Sequence, residues 1–282
     1  MITAIAVALR ILSNSTANLF QKKSAQTSSP VYTNLISYLF MSLICVIPAL
    51  FVDWSVYPLI FWVYVIFAGT LCTVGTIALI EALRIGELSV LAPINSYKSI
   101  IGLISAIFVL GELPSIREIV CIIFIIIGSY FVLDTEQQPF SIKTYFRKDV
   151  MLRMFALICS GTEASFLKKI IMMSSYKISL ILWCFSGFLC SLIIFVLTKN
   201  NKEKNNSNIK NCFMIAVMLI IMQLTTNYVF TKMAIGSALA LFQLSSLVSL
   251  YYGYKVYHET NMTKKLVGVV IMIVSAGVIL AG

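Results

Sequence analysis

Residues 82–133, ALRIGELSVLAPINSYKSIIGLISAIFVLGELPSIREIVCIIFIIIGSYFVL, decide the fold. Two apolar runs, over 88–110 and 116–134, have the length of membrane-spanning helices, which take about 20 residues to cross the hydrocarbon core. Gly86-Glu87 ends the run before them, and Gly111-Glu112-Leu113-Pro114 separates the two with turn chemistry. Outward from this stretch the same alternation continues. Further spans are predicted over 2–21, 31–52, 57–83, 150–171, 177–198, 211–233, 237–257 and 263–281. The whole chain of 282 residues is 60 % hydrophobic and only 11 % charged, with mean hydropathy +0.95. A soluble domain needs roughly a quarter of its residues charged. The reading is an all-α integral membrane protein of ten transmembrane helices, with Thr198 to Asn211 as a solvated loop.

Several function classes fall away on composition. The seven cysteines lie in or beside apolar runs without a CxxC pair, so they read as small buried residues, not as metal ligands or a disulfide framework. His258 is the single histidine, which removes HExxH and histidine-centred triads; no metal, no cofactor and no enzymatic activity are expected. The net charge of +10 is strung along short loops, the pattern of helices meeting an anionic membrane face, so the expected partners are the lipid bilayer and a small-molecule substrate, with no nucleic acid. Arg10 interrupts the first apolar run and no A-x-A site follows, so this segment is read as a mature helix, not as a cleaved leader.

Self-comparison organises the ten spans. At a shift of 146, Thr16, Phe20, Lys22, Lys23, Ser28 and Ser29 fall on Thr162, Phe166, Lys168, Lys169, Ser174 and Ser175. At 150, Thr76, Ile85, Gly86 and Leu91 fall on Thr226, Ile235, Gly236 and Leu241; at 147, Glu112 falls on Glu259. The predicted organisation is a first five-helix repeat over 1–135, a connecting loop over 136–149 and a second repeat over 150–282. An odd number of spans per copy forces the second copy into the membrane upside down. Inverted repeats of this kind are the architecture of secondary transporters, with the substrate near the midplane.

The stretch quoted at the outset resembles the drug/metabolite transporter superfamily, EamA-type. The matching elements are Ala82-Leu83-Arg84 before Gly86, Pro93, the Leu110-Gly111-Glu112 helix end and the Gly128 helix that follows. This resemblance implies a ten-helix transporter in the cell membrane with cytoplasmic termini. Two departures stand out: Lys98-Ser99 occupies the place of a second proline, and His258-Glu259 replaces Gly-Glu in the second copy. Orientation is in tension with the resemblance. Fourteen of the 21 basic residues, Arg153 counted among them, flank odd-numbered loops, and five flank even-numbered ones, which places the termini outside the cytoplasm.

Three charges sit deep in spans: Arg10, Lys98 and Glu163. Each would cost roughly 3 kcal/mol against lipid, so each is expected to face the bundle interior. At helical spacing, Asn14 and Gln21 join Arg10; Asn95, Gly102 and Ser105 share a face with Lys98; and Gln223, Asn227, Gln243, Ser246 and Ser249 mark the eighth and ninth spans. The candidate substrate-binding residues are Arg10, Asn14, Asn95, Tyr97, Lys98, Gln223, Asn227 and Gln243, with Glu163 as the proton-coupling residue or, alternatively, half of a structural ion pair with Arg10, Lys98 or Lys168. Two cations against one acid favour a ligand with a carboxylate or phosphate, amino acids among them. The functional reading is a secondary transporter, an exporter or exchanger, working through a central alternating-access cavity. A membrane-embedded lipid-handling scaffold or enzyme and an uncoupled facilitative exchanger are the alternatives. The fifth and tenth spans carry no polar face and read as peripheral, at a homodimer seam.

Overall fold

The computed structural model describes all residues except 1, 87–90, 92–93, 96, 114, 134–145, 199–208, 244, 258–261 and 281–282. The described residues form eleven α-helices and one short 3-10 turn: α1 (Ile2–Ala25), α2 (Pro30–Ala49), α3 (Leu59–Ile85), α4 (Tyr97–Leu110), α5 (Ile116–Leu133), α6 (Lys148–Met173), α7 (Tyr176–Thr198), α8 (Ile209–Phe230), α9 (Ile235–Phe242), α10 (Ser245–Tyr257) and α11 (Met262–Leu280). Six of them, α1, α2, α3, α6, α7 and α8, are long and apolar enough to cross a membrane. The predicted connecting loop, the loop after α7 and the His258-Glu259 helix end fall largely or wholly outside the described residues.

Caps mark the helix starts. Ser29 sits in extended backbone, accepts the amide of Tyr32 at 3.2 Å and is followed by Pro30, whose fixed φ suits a first helical position. Ser175 accepts the amide of Ile178 at 3.2 Å in the same way before α7. At the other end of α4, Gly111 takes φ +73 and donates to Ile107 O at 3.1 Å, a left-handed cap that suits glycine best. The ninth span departs from expectation. Instead of one helix over 237–257, it breaks after Phe242, with Gln243 closing α9 and Ser245 opening α10.

Packing follows the small residues. The most extensive contacts join α3 to α6, α1 to α8 and α5 to α11. A Cβ on Gly161 of α6 would lie 2.6 Å from Ile101 and 3.2 Å from the Gly102 amide, so α4 and α6 touch backbone to backbone there. Gly128 of α5 is pressed on α11, where a Cβ would meet Gly268 O at 2.8 Å. Buried side chains of the main apolar cluster, with Tyr38 and Met41 fully covered, come from α1 to α4 and α6 to α9. Outside, rows of leucine, isoleucine and valine such as Ile44, Ile47, Ile193 and Val196 stand exposed, as a lipid-facing surface requires.

The contacts define two ends of the bundle. One collects the end of α1, Gly86 and the start of α6, where Gly86 adjoins Asp149. The other collects Glu112, the end of α6 and the α8–α9 turn.

Candidate functional site

Polar side chains that would be costly in lipid converge on one cavity inside the bundle. Its volume is about 110 Å³, against roughly 30 Å³ for each water in the liquid, so it can hold a small solute or several waters. Helix α1 contributes Arg10, Asn14, Asn18 and Gln21 on successive turns of one face. Opposite stand Thr76 of α3, Asn95 and Lys98 at the start of α4, Arg153 and Glu163 of α6, and Gln223 and Thr226 of α8. Tyr38, Trp183 and Phe230 add aromatic walls.

Arg10 is 4 % exposed, and its Nε and Nη1 have no hydrogen-bond partner among the described residues. Its guanidinium carbon lies over the Phe242 ring, 4.3 Å from the centroid, a cation–π contact that does not use up its N–H donors. A planar cation held against a ring, with N–H donors unspent, is a ready partner for an anion that accepts from it.

Glu163 is also buried, and the Trp183 indole donates to its Oε1 at 2.7 Å. Lys98 acts on it electrostatically, but among the described residues no cation comes within 4 Å of its carboxylate. Lys168, one candidate for a structural ion pair, instead reaches Glu112 Oε1 at 2.6 Å and Met233 O at 3.1 Å.

Of the nine residues singled out from sequence, six line this cavity: Arg10, Asn14, Asn95, Lys98, Glu163 and Gln223. Asn227 lies beside it, accepting from Gln223 at 2.8 Å and donating to Tyr176 O at 3.1 Å. Gln243 is taken up at the helix break, donating to Ser99 Oγ at 2.9 Å and Leu239 O at 3.0 Å and accepting from Asn95 at 3.5 Å. Tyr97 points elsewhere, into the apolar cluster of Leu83, Leu91 and Ile94. The side chains of Ser246 and Ser249 lie outside the described ones.

Arg153 is the main surprise. Its position near a loop makes it look like a membrane-surface cation, yet it is 5 % exposed and points inward. Its Nε donates to Leu91 O at 3.1 Å and its Nη2 to Asn95 Oδ1 at 3.0 Å. The signal available in the sequence was its spacing, seven residues before Ser160 and ten before Glu163, which puts all three on one helix face. Tyr38, Cys72 and Trp183 were also missed, because an aromatic or a cysteine in an apolar run carries no mark of facing a cavity; Tyr38 Oη lies 2.7 Å from Cys72 Sγ.

Comparisons with known proteins agree with this architecture. Among curated proteins none matches the chain significantly. A solved protein crystal structure superimposes with a TM-score of 0.74, covering 98 % of this chain and 95 % of its own at 12 % identity, a likeness in fold alone. Residues 1–134 match the EamA-like transporter family, the part of the chain that holds Arg10, Asn95 and Lys98. The matched part, just under half of the chain, is similar to the EamA-like transporter family, which is part of the drug/metabolite transporter superfamily.

Proposed function

We propose that this integral membrane protein is a secondary transporter in the cell membrane, an exporter or exchanger of small metabolites that carry an anionic group, amino acids among them. The observation that carries the proposal is Arg10: a buried guanidinium with unspent donors on the wall of a polar cavity. A buried unpaired cation is expensive, and the expense is tolerated where a ligand supplies the missing anion. Lys98 and Arg153 on the opposite wall add to the positive field.

Ten spans in two inverted copies, as proposed from the sequence, would provide alternating access. The structural contacts map onto one another when the copies are exchanged: α3 with α6 becomes α8 with α1, while α2–α7 and α5–α11 map onto themselves. Ser29 and Ser175, matched at a shift of 146, cap their helices through the same hydrogen bond. The test is counterflow in proteoliposomes. Purified protein should exchange a labelled amino acid or another small carboxylate, and Arg10→Gln should abolish the exchange. Exchange of permanently cationic solutes only, unaffected by Arg10→Gln, would overturn the reading.

Glu163 supports a second element, proton coupling. It has a neutral hydrogen-bond donor and no ion-pair partner within 4 Å among the described residues, so its protonation can follow the state of the cavity. Glu163→Gln should lose uptake driven by a pH gradient and keep exchange. An uncoupled facilitator would show no difference between the two assays in the unmodified protein, and a lipid-handling scaffold would exchange no soluble metabolite at all.

A further inference from the structure

We infer that Lys168 and Glu112, with Phe230 behind them, form the gate that closes the central cavity at the Glu112 end of the bundle. This rests on the cavity's being the transport path.

The cavity is lopsided. Its polar lining runs from mid-bundle toward the end where α1 finishes and α6 begins, with Gln21, Leu79 and Arg153 farthest out. Toward the opposite end it stops at Leu167, Phe230 and Leu239. Beyond Phe230 lies a second cavity of about 550 Å³, walled by Glu112, Lys168, Ile171, Met172, Thr231 and Met233. Phe230 is the one described residue that lines both, which puts it between them in the proposed gate. It leans toward Phe242, ring centroids 6.3 Å apart, and Phe242 in turn carries the Arg10 guanidinium.

The ion pair holds that gate shut by gathering helix ends. Lys168 of α6 bonds Glu112, just after α4, and Met233 O, just after α8. The other oxygen of Glu112 accepts the Ile235 amide at 3.3 Å, the first amide of α9. Two side chains thus tie α4, α6, α8 and α9 at the point below which Phe230 sits. The pair is partly exposed, with side-chain exposures of 13 % and 29 %, so water can take over its hydrogen bonds when it opens. Deeper contacts between α4 and α6 at Gly102 and Gly161 do not depend on it. Gly111, in its left-handed turn, supplies the backbone freedom for Glu112 to swing away.

A cysteine at Ser160, a half-buried position on the cavity wall, reports access when a membrane-impermeant maleimide is added to sealed right-side-out or inverted vesicles and the adduct is mapped by mass spectrometry. Glu112→Gln and Lys168→Met should each raise labelling from the Glu112 face roughly tenfold, the population shift expected for losing a charged hydrogen bond, with little change from the other face. Phe230→Ala should raise it with the ion pair intact. Labelling that stays unchanged in Glu112→Gln, or that rises equally from both faces, overturns the proposal. No substrate is needed, so protein that passes this test yet fails counterflow would keep the gate and lose the proposed substrate.

Discussion

Arg10 and Glu163 separate two kinds of buried charge. Replacing Arg10 by methionine removes a cation that has no hydrogen-bond partner at Nε or Nη1 and keeps an apolar stem against Phe242. The folded protein should lose no thermal stability in detergent, and could gain some, because an unpaired charge has been replaced by a side chain that packs. Stabilisation by an anionic ligand should vanish in the same variant. A merely structural arginine gives the reverse pattern, a large fall in melting temperature with the ligand response intact. For Glu163 the support is the Trp183 indole, 2.7 Å away. Trp183→Phe should destabilise by about 1–3 kcal/mol, since a buried carboxyl then lacks its donor. Differential scanning fluorimetry of Trp183→Phe in the Glu163→Gln background checks the link: the two effects should be markedly less than additive.

At the scale of elements, the decisive interface is that of α4 and α6. Gly102 and Gly161 bring their backbones together, and on either side Arg153 reaches Asn95 while Ser105 approaches Thr162 O at 3.5 Å. Gly161→Ala would put a methyl 2.6 Å from Ile101 Cγ2, so it should cost about 1–3 kcal/mol of stability, read from thermal unfolding, through overpacking rather than through any effect on polar groups. Gly111→Val should act differently. It forces a β-branched residue into a left-handed turn at a cost of roughly 1–2 kcal/mol and displaces Glu112 from Lys168. Vesicle labelling at position 160 should then rise from the Glu112 face, as it does for Glu112→Gln. The break between α9 and α10 belongs to this scale too. Asn95 and Gln243 meet at this break, and the Gln243 carboxamide donates to Leu239 O, a carbonyl that a continuous helix would bond internally.

For the whole molecule, the balance of charge around the cavity sets what it can hold. Arg10, Lys98 and Arg153 face Glu163, so the interior carries more cations than acids. A thermal-shift screen should find small carboxylates and phosphates among the stabilisers and permanently cationic solutes absent from them. A ligand at a hundred times its Kd should add about 2.7 kcal/mol to folding stability. The inward turn of Arg153 also alters the charge asymmetry: without it, thirteen instead of fourteen basic residues flank the odd-numbered loops, and the bias against the even-numbered ones stands. The apolar rows of α5 and α11 remain a surface for lipid or for a second copy, although Gly128, a residue suited to such a seam, is already used between these two helices.

What the sequence determined by itself is everything that depends on the cost of exposing groups to lipid. Apolar runs of span length, the stop at Gly111 and the inward placement of Arg10, Lys98 and Glu163 all follow from local composition, because a backbone in hydrocarbon must bond internally and a charge there must turn inward. The tertiary structure decided which inward-facing groups meet. Asn227 and Gln243 look like cavity residues from their helical faces, yet each is drawn into hydrogen bonds with neighbouring helices. Arg153 reads as a surface cation until Leu91 O and Asn95 are found beside it. Lys168 could have paired with Glu163, five positions back on its own helix, but five residues of helix place the two on different faces. Helical period says which way a side chain points; only the rotation and depth of the helix it points toward settle what it finds there.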